Sequence, residues 1–291
     1  MIKALRRLVE TALVWSAFAA FGWLSIDRAS RLGGFVARNL GPRLPVSRRA
    51  RDNLRRAFPD KDRFEIERIV RGMWDNLGRV AAEYPHLGSI DCYAEGGRVE
   101  VVGTEILERL NDAGAGCIFF GGHLANWEIA PLGAAQRGLV VNYIYRRANN
   151  AGVERIVTAA RAPTGGAHAP KGQRGARQIT NALRDGGHLG ILVDQKFNEG
   201  IAVPFFGHDA MTAPALATLA RLHGCAVVPV RVERLGGARF RLTVYPPLEL
   251  PARGAEGDDA HSIMCRVNAV LEGWVRERPE QWLWLHRRWR D

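Results

Sequence analysis

The sequence predicts an α/β fold, with a mixed central sheet flanked by helices. Two observations carry this prediction. From about residue 98 onward, short β-branched or apolar runs alternate with amphipathic stretches, which is typical of a sheet covered by helices. Before residue 98, apolar residues recur at helical spacing, as between 66 and 81. We therefore predict a membrane-associated N-terminal helix in residues 1–27 and a single domain over 28–291, helical in 28–97 and α/β in 98–291.

The N-terminal segment contains an apolar run over residues 11–26, preceded by Lys3, Arg6 and Arg7. The run is somewhat short for a membrane span, which needs about 20 residues. Three alternatives remain open at this point: a short or tilted anchor, a helix lying in the membrane interface, and a buried core helix. Basic residues flank both ends, which favours contact with anionic lipid.

The remaining elements follow from periodicity and from turn residues. Pro42 and Pro45 interrupt the helical segment, and Pro85 ends its last helix. We predict strands at 99–103, 117–122, 139–145, 188–194, 225–233 and 238–247. We predict helices at 104–114, 126–138, 148–162, 173–187, 212–224 and 260–278.

The charge balance is strongly basic. Lys and Arg number 41 against 30 Asp and Glu, a formal net charge of +11. Such a surface attracts polyanions, although arginines scattered over solvated faces would give the same total. The sequence contains no recognised nucleic-acid motif, so we expect an anionic membrane as partner and no nucleic acid. Four cysteines without a CxxC pair suggest buried apolar residues.

The stretch 117–130 contains the candidate chemistry. A buried strand runs into Gly121 and Gly122, then His123, and a helix is predicted to open near Asn126. α/β proteins place ligands at such strand ends. A neutral histidine there can take a proton from an attacking hydroxyl, and the Glu128 carboxylate can hold its tautomer. The alternative is a capping histidine and a first-turn glutamate that only favours the helix dipole. No Ser or Cys sits beside His123, which favours direct transfer over an acyl-enzyme.

Four blocks together resemble the lipid A biosynthesis acyltransferases of the lauroyl/myristoyl type, within the lysophospholipid acyltransferase superfamily. The first is GGHLANWE at 121–128, which matches a His-x4-Asp/Glu signature. The second is a Tyr-Arg segment at 143–150, in which Arg147 stands where many members have proline. The others are 192–221, with its Asp-Gln and Val-Pro-Phe-Phe-Gly motifs, and the Trp- and Arg-rich end at 279–290. Their order and spacing match the family along nearly the whole chain.

The resemblance implies an acyl transfer from acyl carrier protein onto a hydroxyl of a Kdo-bearing lipid A precursor. Members act at the cytoplasmic face of the bacterial inner membrane and need no metal or other cofactor, so acyl carrier protein and the lipid A precursor become the expected partners. His123 would be the general base and Glu128 its partner. Arg146 would contact a phosphate or stabilise the thioester oxyanion. The remaining expected substrate-binding residues are Gly122, Asn126, Asp194 and Gln195.

Several of these residues have a second interpretation. Asp194 and Gln195 either contact substrate or brace the turn after a strand, and 203–207 either lines the acyl pocket or belongs to the core. We expect His286 to be structural. The arginines and tryptophans of 284–290, and the basic run 48–56, either contact membrane lipid or the carrier protein, or face solvent.

Three rival functions remain open. The acceptor could be another membrane lipid, such as a lysophospholipid or a glycolipid. A metal-dependent hydrolase would use His123, Glu128, Asp194 and His188, although no HExxH spacing is present. A basic protein that binds membrane or nucleic acid without catalysis is the third.

Overall fold

Helices form the first ninety residues, as predicted. The structure is a computed structural model that describes residues 2–112, 116–144, 148–166, 168–169, 173–252 and 254–289. The helices are α1 (Ile2–Gly22), α2 (Ile26–Leu40), α3 (Ser47–Ala57) and α4 (Arg63–Glu83). A capping box between Asp62 and Glu65 begins α4, because each side chain accepts the other residue's backbone N–H.

Glycines bring α2 and α4 into close contact. A Cβ added to Gly33 would lie 2.4 Å from the carbonyl oxygen of Gly78, and one added to Gly78 would lie 2.2 Å from that of Gly33. Because no side chain fits at either position, the two helix backbones approach directly. This contact fixes α2 against α4.

The helix α1 lies on the surface rather than in the core. None of its side chains is buried between residues 4 and 22, the part of the helix whose side chains are described. The buried-core alternative for this segment is therefore wrong. Within the described residues, none of the helices combines the length and the apolar character that a bilayer crossing requires.

The central sheet is mixed, as predicted, and its strand order is β1-β9-β8-β2-β5-β3-β4. β2 pairs in parallel with both β5 and β8, whereas β8 and β9 are antiparallel. The strands are β1 (Val99–Val102), β2 (Cys117–Gly121), β3 (Val141–Ile144), β4 (His168–Ala169), β5 (His188–Leu192), β8 (Ala226–Gly236) and β9 (Arg239–Val244). Each strand predicted from the sequence is present, and most are shorter than predicted.

Further helices cover the sheet. They are α5 (Thr104–Asp112), α6 (Ile129–Gln136), α7 (Ala151–Ala160), α8 (Gln173–Arg184), α9 (Ala215–His223) and α10 (Ala260–Glu277). The main core joins α3, α4, α9 and α10 to one side of the sheet, around Phe120, Leu271 and Trp274. The separation of residues 1–27 from a domain over 28–291 stays a prediction.

A small hairpin was not predicted. β6 (Ile201–Phe205) and β7 (His208–Thr212) form a separate two-stranded sheet. Phe205 and Phe206 are buried against Trp282, Trp284 and Trp289. Most of the apolar residues of 203–207 therefore belong to the core.

The basic and aromatic C-terminal block is also mostly interior. Trp284 and Trp289 are buried, and Arg288 is fully buried. The Arg288 guanidinium donates to the carbonyl of Met211 at 3.2 Å and to the hydroxyl of Thr212 at 2.9 Å. Membrane contact is thus wrong for Arg288, whereas Arg287 is exposed and Arg290 lies outside the described residues.

Candidate active site

The ends of two neighbouring parallel strands bring His123 and Asp194 together. Gly121 at the end of β2 is in register with Leu192 at the end of β5. His123 and Asp194 each follow two residues later, at the same carboxyl edge of the sheet. This edge is the usual position of ligand sites in α/β proteins.

The Asp194 carboxylate holds His123 through both of its oxygens. Nδ1 of His123 lies 2.8 Å from Oδ1, and the backbone N–H of His123 donates to Oδ2 at 2.7 Å. An Nδ1–H that points at a carboxylate leaves Nε2 as the unprotonated acceptor. The His123 side chain is 16% exposed, whereas that of Asp194 is fully buried. A buried carboxylate therefore fixes one nitrogen of the partly exposed imidazole, and Nε2 is the nitrogen that can accept a proton.

Two residues of the C-terminal block hold Asp194 in turn. Trp282 donates its indole N–H to Oδ2 of Asp194 at 2.8 Å, and Nε2 of His286 lies 2.9 Å from the Asp194 carbonyl oxygen. Burial lowers the pKa of His286 to about 4, so this ring is neutral at physiological pH. His286 thus has the structural position that we expected for it.

Each residue of this pair shifts the pKa of the other in the direction that favours the charged form. Burial opposes a charged imidazolium, but the charge of Asp194 and its hydrogen bond outweigh that effect and raise the pKa of His123. Burial likewise opposes a charged carboxylate, but His123 and its hydrogen bonds lower the pKa of Asp194 well below its usual range. The ionised form of Asp194 is therefore favoured, and so is the protonated form of His123, which makes this histidine a stronger base than a free one.

Glu128 has a different partner from the one expected. Its Oε1 accepts hydrogen bonds from the hydroxyl of Tyr84 at 2.6 Å, from the indole of Trp127 at 3.0 Å and from the guanidinium of Arg161. The prediction that Glu128 orients His123 is a misassignment in this structure, because Asp194 occupies Nδ1. The reason is local, since α6 begins at Ile129 and Glu128 precedes it as the N-cap residue.

The loop between His123 and Glu128 is held in an unusual conformation. Ala125 has a φ of 48°, a left-handed value that is rare for a residue with a Cβ. Its N–H donates to the carbonyl of Gln281 at 3.0 Å, and its carbonyl accepts from the side chain of Asn76 at 3.1 Å. These contacts compensate for the strain and fix the loop beside the histidine.

Asn126 braces this loop rather than facing a substrate. It is fully buried, its amide donates to Glu83 at 2.9 Å, and its carbonyl oxygen accepts the N–H of Glu128 at 3.2 Å. Both polar atoms are thus engaged inside the protein. The substrate-binding role expected for Asn126 is not supported by this position.

The other expected substrate-binding residues have mixed outcomes. The exposed side chain of Gln195 places its Nε2 3.5 Å from Nε2 of His123, on the accessible side of the ring. A Cβ added to Gly122 would lie 2.6 Å from Leu271 and 3.4 Å from Asp194, so a larger residue would require Leu271 to shift beside the pair. Arg146 lies outside the described residues. Substrate contacts of these residues stay predictions.

Arg161 is the main site residue that sequence reasoning missed. Its guanidinium pairs with Glu128 and donates to the hydroxyl of Tyr84 at 3.0 Å. The side chains of Glu128 and Arg161 are only 4% and 17% exposed. A buried glutamate requires a positive partner, which was a usable signal, but nothing in the spacing identified Arg161 among the many arginines.

His188 does not join the site. It begins β5, whereas Asp194 follows the opposite end of that strand, and its Nδ1 lies 3.1 Å from the sulfur of Cys117. Across the described ranges, we find no group of three or more His, Cys, Asp or Glu side chains that could hold a metal ion. The four residues suggested for a metal-dependent hydrolase are thus not assembled.

Fold and site together define an α/β protein with a carboxylate-held histidine at the carboxyl edge of a mixed sheet. The profile of the family "Bacterial lipid A biosynthesis acyltransferase" matches residues 3–291. This chain therefore belongs to the bacterial lipid A biosynthesis acyltransferase family, whose members are transferases of acyl groups.

Known relatives are distant in sequence but similar along most of their length. The chain is 27% identical over 251 residues to the lipid A biosynthesis palmitoleoyltransferase of Escherichia coli K12, covering 83% of this chain and 78% of the relative. It is 28% identical over 260 residues to the myristoyltransferase of the same organism, covering 88% and 78%. Among solved structures, the 1-acyl-sn-glycerophosphate acyltransferase PlsC of Thermotoga maritima is 15% identical, with a TM-score of 0.41 over 95% of this chain and 99% of that one.

Proposed function

We propose that the protein transfers a fatty acyl chain from acyl carrier protein to a hydroxyl of a Kdo-lipid A precursor, with His123 as general base. One observation carries the proposal: Nδ1 of His123 is fixed 2.8 Å from a buried carboxylate, which leaves Nε2 as the nitrogen that can accept a proton. The family supports acyl transfer in lipid A biosynthesis. The donor, the acceptor and the roles of the residues are our inference.

In the proposed reaction, the acceptor hydroxyl approaches Nε2 of His123. Nε2 takes the proton while the hydroxyl oxygen bonds to the thioester carbonyl carbon, which produces a tetrahedral oxyanion. The carbon–sulfur bond then breaks, and the imidazolium returns the proton to the leaving thiolate. Asp194 stays ionised throughout and stabilises the imidazolium, as a buried carboxylate does in Ser-His-Asp enzymes. No covalent acyl-enzyme is needed.

The ion pair of Glu128 and Arg161 places a guanidinium and a carboxylate near the site, with no net charge. The charges of both residues act on the His123 ring, in opposite directions. Trp127 links the two groups, because its ring lies 5.1 Å from that of His123 and its indole donates to Glu128. We infer that Arg161, held by Glu128, stabilises the oxyanion or a phosphate of the acceptor.

The surface of the first two helices supports action at a membrane. α1 and α2 expose many large apolar side chains, among them Leu8, Leu13, Trp15, Phe35 and Leu40. Exposed apolar surface of this kind marks contact with a membrane or with a partner. Together with the basic composition, it favours an anionic bilayer as partner. We propose the cytoplasmic face of the bacterial inner membrane as the location, because the family resemblance implies it. We propose that the reaction needs no metal or other cofactor.

Mass spectrometry of the acceptor tests the proposal. Purified protein in detergent would receive acyl carrier protein loaded with a fatty acid and a tetra-acylated Kdo-lipid A precursor. We expect the precursor to gain the mass of one acyl chain. A parallel reaction would offer lysophospholipid as acceptor. Transfer to lysophospholipid alone would mean that the acceptor is lysophospholipid and not the lipid A precursor. Transfer to neither would contradict the proposed function.

A further inference from the structure

A basic cleft of about 280 Å³ lies between the start of α3 and the C-terminal block, outside the catalytic pair. This volume is close to the lower end of small-ligand sites, which begin at about 300 Å³. Its side chains include four arginines, one carboxylate and one aromatic ring: Arg48, Arg49, Arg56, Arg287, Asp52 and Trp289. The size suits a headgroup rather than an acyl chain.

Arginines outnumber carboxylates in the described lining of the cleft. Asp52 is the one carboxylate of its lining among the described residues, and it accepts a hydrogen bond from Arg55, outside the cleft, at 3.0 Å. Arg49 donates to the carbonyl of Leu285 at 3.0 Å, a neutral partner. Arg48 is exposed, and the described part of the chain offers it no carboxylate contact. Guanidinium groups gathered around a concave surface favour a phosphate, because they match its geometry in pairs.

Exposed apolar residues close to the cleft in sequence favour a lipid as the source of the phosphate. Leu44 is 46% exposed and directly precedes Pro45 of the cleft, and Leu40 and Phe35 of α2 are 59% and 54% exposed. Exposed apolar residues on α1 and α2 would insert at the boundary of headgroups and acyl chains. Arginines at the border of that surface would then lie at the level of the lipid phosphates.

The cleft and the catalytic pair both contact the C-terminal segment 284–286. The side-chain amide of Asn53, which lines the cleft, donates to the carbonyls of Trp284 at 2.8 Å and His286 at 2.9 Å. The His286 ring in turn contacts the carbonyl of Asp194. A headgroup in the cleft would therefore lie behind the segment that holds the Asp194 backbone.

We propose that this cleft binds the phosphate group of an anionic lipid headgroup at the membrane surface. The site is separate from His123 and does not depend on the identity of the acyl donor or acceptor. A soluble phosphate would share the chemistry, and the acidic carrier protein would share the charge. The adjoining apolar surface favours lipid over both.

Vesicle binding by the full-length chain tests this proposal. One set of vesicles contains phosphatidylcholine, and the other contains phosphatidylcholine with phosphatidylglycerol. The cleft variant is Arg48→Gln with Arg287→Gln. The matched control is Arg68→Gln with Arg109→Gln, two exposed arginines on α4 and α5 that do not line the cleft. The folding of each variant is checked by circular dichroism, and Arg48→Gln alone serves as a milder second variant.

We expect the cleft variant to lose about 25-fold in affinity for the anionic vesicles, because each arginine that meets an anionic lipid surface contributes about fivefold. The control should lose less than about threefold, since its arginines lie away from the proposed contact. Binding to phosphatidylcholine should be equal in all variants. Equal losses in both double variants would mean general attraction by net charge and would overturn the proposal.

Two further arms distinguish the ligands. Inorganic phosphate that binds the wild type and not the cleft variant, while both proteins bind the anionic vesicles equally, would assign the cleft to a soluble phosphate. A cleft variant that loses affinity for acyl carrier protein but keeps its vesicle binding would assign it to the carrier. Either result overturns the lipid site. Because vesicle binding is measured without acyl transfer, failure of the proposed reaction would be visible separately.

Discussion

Two histidines stand at opposite ends of the same pair of strands, and only one is equipped as a base. At the carboxyl edge, His123 meets the buried Asp194 and its pKa is raised. At the amino edge, His188 meets Cys117, and burial lowers its pKa. Burial therefore disfavours the charged imidazole in both places, and at His123 the nearby carboxylates, Asp194 more strongly than Glu128, reverse the effect. The difference shows that an anion two residues beyond a parallel strand, rather than burial, makes the histidine a base.

The comparison predicts its largest effect at His123. We expect His123→Ala to lower the rate of acyl transfer by roughly 10⁴-fold, the upper end of what a general base contributes. The rate should be measured under single-turnover conditions with carrier-bound donor. Circular dichroism would check the folding of the variant, because removing the ring leaves the buried Asp194 carboxylate without this partner. A residual rate within about tenfold of the wild type would place the base elsewhere.

A smaller loss is expected at Arg161. In Arg161→Lys the positive charge is kept but the fork of donors toward Glu128 and Tyr84 is lost, so kcat should fall by about 10- to 100-fold. Steady-state kinetics would measure kcat and KM separately. Arg184→Lys, an exposed substitution on α8, is the matched control and should leave kcat unchanged. An unchanged kcat in Arg161→Lys would remove Arg161 from the proposed chemistry.

Trp282 acts on the base only through Asp194, so its effect should be smaller again. Trp282→Phe removes the indole N–H that donates to Oδ2 at 2.8 Å and keeps most of the apolar contact. We expect a loss of about 2 kcal/mol in unfolding free energy, typical of a hydrogen bond to a charged group, and a several-fold lower kcat/KM. Urea unfolding would measure the first. A variant as stable as the wild type would show that this bond contributes nothing.

His188 should matter least. In the wild type, the N–H of Cys117 donates to the His188 ring nitrogen at 3.3 Å. His188→Asn keeps a polar side chain at this position. We expect a transfer rate within about twofold of the wild type and a loss of about 1 kcal/mol in stability. A loss of rate comparable to that of His123→Ala would make the two edges of the sheet equivalent and break the comparison.

The sequence predicted the fold well because periodicity and turn residues report local structure. The strands at 117–122 and 188–194 were both predicted, and each prediction ended at or near a site residue. What periodicity does not report is which strands are neighbours. Pairing of β2 with β5 is what brings Asp194 to His123, across a separation of 71 residues. Two apolar strands in register, each followed by a polar residue, are the pattern that would have indicated the contact of Asp194 with His123.

Glu128 was assigned to His123 from its proximity in sequence and from the resemblance to the family. The left-handed Ala125 turns the loop, so the carboxylate faces Tyr84 and Arg161 instead. Such a backbone conformation is strained for alanine and has no sequence signature. The sequence also did not predict that α1 is exposed, because an apolar run is compatible with burial and with membrane contact.

The pH dependence of kcat/KM tests most directly whether Asp194, rather than Glu128, is the main carboxylate that raises the pKa of His123. Transfer requires neutral His123, so the rate falls as pH drops below the pKa of this residue. Asp194 raises that pKa, and its charge acts more strongly than that of Glu128. Removing either carboxylate charge lowers the pKa, so the acid limb should move to lower pH. We predict a larger shift in Asp194→Asn than in Glu128→Gln, together with a lower plateau. A larger shift in Glu128→Gln, or an unmoved limb in Asp194→Asn, would contradict the assignment.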